Sequence, residues 1–332
     1  MRNAIGIDLG GTNIKGGIVS EVGKLLEYRT IPSNAARGAK EVLRRVLSLL
    51  ETLFNYSKKY SIDISGVGVV TPGVVDPDYG GVVGGAYNIP GWCGTPFMKV
   101  ISEEYDVDVF AHNDVTGTVL AEYKYGAGRG KRNIILAAFG TGIGGGIIID
   151  GKLYSGASGY AGEIGHMVIH AGGYKCTCGI KGCWEEYASI RGILRTAKMI
   201  MRAHNADSLG GVKFNEKHGL TPPDIFTGAE KNDPIALEIV DAICRDTAIG
   251  VGSLINIFNP DMFIIGGGIS KAGKIYLNGI KSKIANYTLP DARKSVDIVA
   301  TEIGYEAGLV GAAVLVFEGI NGYFKNRHLK FR

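Results

Sequence analysis

Two short segments of this chain echo each other. Gly11-Thr12-Asn13-Ile14-Lys15-Gly16-Gly17-Ile18 matches Gly140-Thr141-Gly142-Ile143-Gly144-Gly145-Gly146-Ile147 at six of eight positions in register. Each copy follows an apolar, strand-like run, Ala4–Leu9 or Ile134–Phe139. Each leads into another apolar run and then a turn, Glu21-Val22-Gly23-Lys24 or Asp150-Gly151-Lys152. Asp-Gly between apolar runs is a strong hairpin signal. The copies are too far apart for a solenoid repeat. The chain therefore reads as two related domains, each opening strand, Gly-Thr turn, strand, turn, strand.

Its 332 residues suit one large or two medium domains at roughly 100–200 residues each. The apolar residues Val42, Leu43, Val46, Leu47, Leu50 and Leu53 follow helical spacing across Ala39–Tyr60. A buried-type strand, Gly66–Val70, runs into the turn Pro72-Gly73, and a short strand follows at Asp108–Ala111. Asn113 is placed to cap a helix running through Glu122. Further helices are expected at Trp184–Ala203, Pro234–Phe258, Ala272–Tyr287 and Gly304–Phe317, with a strand at Asp261–Ile265 that ends on Gly266-Gly267-Gly268. Alternating strands and helices define an α/β class. The stretch Asn205–Thr221 matches no motif.

Several classes of protein are disfavoured. The net charge of +4 is thinly spread. Its densest patches, Arg129 with Lys131-Arg132 and the tail Lys325–Arg332, lack the length and aromatic interleaving of a nucleic-acid surface. Asp8 comes too early for the apolar region of a signal peptide. Prolines and glycines interrupt Tyr79–Met98, and Ile134–Ile149 is shorter than the roughly 20 residues a spanning helix needs. A cytoplasmic protein with no membrane span and no nucleic-acid partner is expected. The five cysteines are an odd set, and Cys176, Cys178 and Cys183 crowd into eight residues. In an intracellular chain that points to metal before disulfide.

A phosphate chain needs inward backbone N–H groups, a hydroxyl and no obstructing side chains. Gly10-Gly11-Thr12-Asn13 and Gly140-Thr141-Gly142 supply all three, and together they suit a nucleotide triphosphate. Asp8, at the end of the first strand, suits Mg²⁺ directly or through water. Gly140-x-Gly142-x-x-Gly145 also fits a dinucleotide fingerprint, but that needs a helix after the glycines and a hairpin follows here. Gly146-x-x-x-x-Gly151-Lys152 resembles a P-loop, yet Leu153 stands where a metal-binding Ser or Thr is required. His166, Cys176, Cys178 and Cys183 form a tetrahedral Zn²⁺ set with every position filled, which means a structural ion. Asp114 opens the helix after Asp108–Ala111 and is a candidate general base. Glu163, three residues before His166, and Glu185, two after Cys183, are drawn by that ion toward one locus fit for a polyhydroxy ligand.

These residues resemble a known family. Ile7-Asp8-Leu9-Gly10-Gly11-Thr12 is similar to the ATP-binding opening of the sugar kinase, hexokinase and actin superfamily. Gly162-Glu163-Ile164-Gly165-His166, with Cys176-x-Cys178-Gly179-x-x-Gly182-Cys183-x-Glu185, resembles the zinc signature of the ROK (repressor, ORF, kinase) family. Val69-x-Thr71-Pro72-Gly73-x-Val75-Asp76, Asn88-x-Pro90-Gly91-Trp92 and Asn113-Asp114 match it too.

The resemblance implies two ribonuclease-H-like domains flanking a cleft: a small domain over 1–113 completed by a helix at about 304–317, and a larger one over 114–303 carrying the zinc loop 166–183. It implies ATP-dependent phosphorylation of a hexose, glucose first, by a homodimer or dimer of dimers. It carries Asp114 over as the base and Gly73, Asn88, Asn113, Glu163, His166 and Glu185 as sugar contacts. His166 then holds zinc with one ring nitrogen and sugar with the other. Gly11, Thr12, Thr141 and Gly142 would hold phosphates, and Gly266, Gly267 and Gly268 the adenosine. Asn13 stands where many members have Lys, so cationic help at that position is absent, and Val115-Thr116 replaces the commoner Ala-Asn. Fructose, mannose, allose, N-acetylmannosamine and N-acetylglucosamine remain alternative sugars, and a non-catalytic sugar sensor is a lesser alternative. A repressor of this family carries a helix-turn-helix domain before the Gly-Thr motif, and the motif here begins within about ten residues of Met1.

Overall fold

The computed structural model of the protein describes residues 1–86, 88–214 and 219–323. The basic tail 325–332 and positions 215–218 of the motif-free stretch lie outside the described residues. In chain order the elements are β1 (Asn3–Leu9), β2 (Asn13–Ser20), β3 (Leu25–Pro32), α1 (Ala39–Lys59), β4 (Val67–Thr71), β5 (Val74–Asp76), β6 (Gly81–Gly84), α2 (Phe97–Tyr105), β7 (Val109–Asn113) and α3 (Asp114–Tyr125). Then come β8 (Ile134–Phe139), β9 (Ile143–Ile149), β10 (Lys152–Leu153), α4 (Glu185–Ala188), α5 (Ile190–Ala203), β11 (Ser208–Leu209), β12 (Val212–Lys213), α6 (Pro222–Glu230) and α7 (Pro234–Phe258). The chain closes with β13 (Met262–Gly266), α8 (Lys274–Lys283), α9 (Pro290–Lys294), β14 (Asp297–Ala300), α10 (Ala307–Glu318) and β15 (Gly322–Tyr323).

Two compact units result. The first comprises Met1–Arg129, Ser155–Tyr160 and Glu302–Arg332, and the second Gly130–Tyr154 and Ala161–Thr301. The first unit has a sheet in the order β15-β7-β4-β1-β2-β3, and the second one in the order β10-β9-β8-β13-β14. In both, the opening strand pairs antiparallel with its hairpin partner (β1 with β2, β8 with β9) and parallel with the next long strand (β4 or β13). The strand beyond, β7 or β14, is parallel again. This repeated mixed sheet is the ribonuclease-H-like plan, and the sequence echo marks the same hairpin in each unit. The turns differ in length: four residues separate the closing pair Leu9↔Ile14, and three separate Phe139↔Ile143.

Local chemistry accounts for the main elements. α1 buries Val42, Val46, Leu49, Leu50 and Leu53, the apolar stripe of its 3.6-residue period, against the first sheet's core. α7 starts where Asp233 accepts a hydrogen bond from Ala236 N–H ahead of Pro234, and stops at Asn259 in the left-handed region. α10 is apolar all round, and every residue from Ala307 to Phe317 is buried. It can lie this close to β4 because position 68 is glycine: a Cβ there would sit 1.8 Å from the Ala312 carbonyl oxygen. The excess of glycine in the chain is in part a packing device.

Some boundaries differ from the expected ones. The first unit continues past position 113 to Arg129, because α3 packs on α10: a Cβ on Gly311 would lie 1.7 Å from the Gly117 carbonyl oxygen. The helix expected over Trp184–Ala203 is two, broken at Ser189, whose extended backbone lets its hydroxyl accept from Gly192 N–H and cap α5. The helix expected over Ala272–Tyr287 is α8 followed by a 3-10 turn, Ile284–Asn286. A strand, β9, follows Gly140–Gly142, and Lys152 is exposed on β10, so both the dinucleotide and P-loop resemblances end in a hairpin. Lys131 and Arg132 pair with Asp297 and Asp150. No described helix is long and apolar enough to cross a membrane.

Candidate active site

In the first unit the candidate residues gather where β1, β4 and β7 end. Ligands of α/β sheets bind beyond such carboxyl ends. The turn after β1 closes through Gly10 N–H to the Asn13 carbonyl, 2.9 Å, and Ser33 buttresses it by donating its hydroxyl to Gly11 O, 2.8 Å. Asn88 stands beside the turn, since a Cβ on Gly11 would lie 3.3 Å from Asn88 Nδ2. After β4, Gly73 takes φ +96°, and its carbonyl accepts from Asn113 Nδ2 at 3.4 Å. Asn113 Oδ1 accepts from Val115 N–H at 2.9 Å and caps α3. Asp114 is therefore the first residue of that helix, and its Oδ1 also accepts from Val115 N–H, 2.9 Å. Gly10–Asn13, Gly73, Asn88, Asn113 and Asp114 thus sit at one rim of the first unit.

Asp8 is not alone at that rim. Lys15 Nζ lies 2.9 Å from Asp8 Oδ2, donates to Tyr305 O at 2.9 Å, and stands 3.6 Å above the Tyr305 ring. Position 13 carries no cation, but Lys15, two residues on, places one against Asp8. Sequence reasoning missed Lys15, although the hairpin register carries the signal: Asp8 and Lys15 are direct cross-strand partners.

In the second unit the turn Gly140-Thr141-Gly142 closes β8 onto β9. The Gly266–Gly268 turn at the end of β13 is its neighbour: a Cβ on Gly267 would lie 2.3 Å from the Phe139 carbonyl oxygen. α5 begins here too, with Ile190 N–H donating to Gly140 O at 2.9 Å. Beside Thr141 opens a cavity of about 490 Å³ lined by Ile190, Arg191, Leu194, Arg195 and Lys198. The sequence reading did not reach these helix positions.

Glu163 precedes, and His166 ends, a 3-10 turn packed tightly on β9: a Cβ on Gly165 would lie 2.2 Å from the Ile143 carbonyl oxygen. His166 Nε2 lies 3.8 Å from Glu163 Oε2, and its Nδ1 lies 3.7 Å from Cys176 Sγ. Cys178 and Cys183 bring their sulfurs to 3.6 Å. The ligand atoms of His166, Cys176, Cys178 and Cys183 all lie within 4.8 Å of one another. Tetrahedral zinc with bonds of about 2.0–2.3 Å needs donor separations of about 3.5–3.8 Å, and the 3.7 Å His166–Cys176 and 3.6 Å Cys178–Cys183 separations match that ion. Burial pushes the Cys183 thiol up to about 12, so a cation taken there at neutral pH displaces its proton.

Glu185 is anchored at both carboxylate oxygens. Its Oε2 accepts from Ile143 N–H at 3.1 Å, directly after the Gly-Thr turn. Its Oε1 lies 3.2 Å from Arg191 and 3.9 Å from Cys176 Sγ. Buried Glu186 holds Arg191 and Arg195 from behind. Glu185 therefore joins the thiol cluster to the second Gly-Thr turn.

A model of the ROK family matches residues 4–318, and the chain belongs to that family. The glucokinase of Halalkalibacterium halodurans is 35% identical over 97% of this chain and 97% of its own. The glucokinase of Thermotoga maritima is 35% identical over 96% of this chain and 98% of its own. A ROK family glucokinase from Streptomyces griseus, solved with glucose and AMPPNP, superposes with a TM-score of 0.80 at 33% identity, covering 96% of this chain and all of the other.

Proposed function

We propose that the chain is an ATP-dependent hexose kinase that phosphorylates glucose at its 6-hydroxyl. The observation that carries this is Asp114 at the amino end of α3, beside an Asn113 already tied to Gly73 and following β7, whose parallel neighbour β4 lies next to β1, the strand that carries Asp8 and runs into the Gly10–Asn13 turn. A carboxylate there is placed for general-base work on a hydroxyl. Likeness to two glucokinases along nearly the whole chain supports glucose as the sugar.

Asp114 accepts the proton of the sugar hydroxyl as its oxygen attacks the γ-phosphorus, and the bond to the bridging oxygen of the departing ADP breaks in line. Little covalent work falls to the protein in such a transfer; positioning and charge neutralisation supply the rate. In the first unit Gly73, Asn88 and Asn113 are the proposed sugar contacts; in the second they are Glu163, His166 and Glu185. The proposed phosphate contacts are Gly10, Gly11, Thr12 and Asn13 in the first unit and Thr141 with Gly142 in the second. Gly266–Gly268 and the cavity walled by Ile190 and Leu194 take the nucleoside. Asp8 would hold Mg²⁺, which neutralises phosphate charge when bound, while Lys15 covers its second oxygen. His166, Cys176, Cys178 and Cys183 would hold a structural Zn²⁺; with Nδ1 turned to the thiols, His166 keeps Nε2 for Glu163 and the sugar. The need for ATP supports a cytoplasmic location, and the family resemblance supports a homodimer or dimer of dimers.

The test is ADP release with Mg-ATP across a panel of hexoses and N-acetylhexosamines, run beside Asp114→Ala. Saturable turnover with glucose and a loss of roughly 10²–10⁴-fold in the variant are expected. Faster turnover of another sugar would move only the substrate. No turnover of any sugar, with sugar binding intact, would make the protein a sensor.

A further inference from the structure

We propose that His112 is a positioning residue for the base: its ring completes the hydrogen bonding of the strand end that carries Asn113 and Asp114. This rests on Asp114 being the base. Along β7, alternate N–H groups point to opposite edges. Ala111 N–H points to the β15 edge, where it donates to Asn321 O at 3.3 Å. Asn113 N–H, two residues on, points the same way, but the β15 pairing reaches only Phe110 and Val109. Among the described residues no strand stands opposite Asn113 on that edge, and a part-buried N–H without an acceptor is costly. His112 Nδ1 fills the place, accepting from Asn113 N–H at 2.8 Å.

That bond fixes the ring. With Nδ1 as acceptor, the neutral imidazole carries its proton on Nε2, which faces Ser155 Oγ at 3.1 Å. Ser155 opens the segment Ser155–Tyr160, which belongs to the first unit although the chain on both sides belongs to the second. The ring is thus held at both nitrogens, one by the base's own strand and one by a segment 43 residues away. A cavity of about 380 Å³, lined by Val74, Asp76, His112, Ser155 and Asn321 among others, borders it. Removing the ring leaves Asn113 N–H open to that cavity and loosens the residue before the base. Small misplacements of a reacting group cost turnover more than binding.

The experiment compares steady-state kinetics of the full-length protein on the hexose preferred in the panel, for His112→Ala, His112→Asn, Ser155→Ala and the control Asp114→Asn, with melting temperatures alongside. His112→Ala should lower kcat about tenfold or more while the sugar KM changes less than about threefold. His112→Asn, whose Oδ1 can accept from Asn113 N–H, should restore most of it. Added imidazole should restore part of the activity of His112→Ala through the bordering cavity. Ser155→Ala should lower kcat about threefold at an unchanged melting temperature. Wild-type kcat in both His112→Ala and Ser155→Ala, beside an inactive Asp114→Asn, overturns this inference and leaves the base assignment standing. So does a kcat loss in His112→Ala that only tracks its melting temperature and that neither Asn nor imidazole relieves. Full turnover in Asp114→Asn removes both. If His112→Ala does not fold, Ser155→Ala decides alone: reduced kcat supports the inference and wild-type kcat overturns it.

Discussion

Asp8 and Lys15 face each other across the first hairpin, with side chains only 15% and 14% exposed. Partly desolvated charges depend on each other, because removing one leaves the other uncompensated. Lys15→Ala should therefore cost about 1–3 kcal/mol of unfolding free energy. The double variant with Asp8→Ala should cost less than the sum of the two singles, which urea melts in a double-mutant cycle would read directly. His112 gives a second prediction at this scale. Burial pushes its imidazole down from 6.5 to about 4. Between those values the unfolded chain binds a proton that the folded one refuses, so stability is lost as pH falls through this window. The slope is at most about 1.4 kcal/mol per pH unit. Melts from pH 7 to pH 4 should show this acid lability in the parent and less of it in His112→Gln.

At the level of elements, the second unit hangs on Trp184 at the start of α4. Its indole N–H donates to Asp246 O on α7 at 3.0 Å, and its ring meets Phe139 edge-on at 5.3 Å. α7 admits the ring only because position 250 is glycine: a Cβ there would lie 2.2 Å from the indole. Glycine inside an ordinary helix costs about 1 kcal/mol relative to alanine, so Gly→Ala usually stabilises. Here overpacking at about 1–3 kcal/mol or more opposes that gain. Gly250→Ala is expected to lower the melting temperature, and an unchanged or higher one would refute this account of the α4–α7 contact. Glu122 makes a comparable join in the first unit. Fully buried, it accepts from Ala127, Glu302 and Ile303 N–H, each at 2.9 Å, and so ties the end of α3 to the approach to α10.

Across the whole molecule, one plan is used twice and then specialised. The first unit adds α3 with Asp114 at its amino end, and the second adds the thiol loop. That loop has little regular structure, with isolated bridges at Val168↔Cys183 and Lys175↔Lys181, so a bound ion would supply much of its order. Elemental analysis should find about one zinc per chain. Cys178→Ser should lose the zinc and melt earlier, with the loss of sugar turnover following the loss of metal. A metal-free parent with the same melting temperature would count against a structural ion.

Much of this was legible in the residues alone, where the governing physics is local. Turn chemistry and strand periodicity place the two Gly-Thr hairpins. Apolar spacing defines α1, and Asp233 with Pro234 marks the start of α7. Thiol spacing brings together His166, Cys176, Cys178 and Cys183. Tertiary structure alone decided what depends on where the chain returns. Glu185 accepts from Ile143 N–H, 42 residues away. Ser155 reaches His112 from a segment embedded between stretches of the other unit. α3 joins the first unit through a glycine contact with α10 that no local pattern encodes. Lys15 lies between these cases: the alternation that makes β2 a strand puts its side chain on a known face, but only the register of the hairpin sets it opposite Asp8. Backbone preference acts over a few residues, whereas a side chain's partner depends on the path of the whole chain.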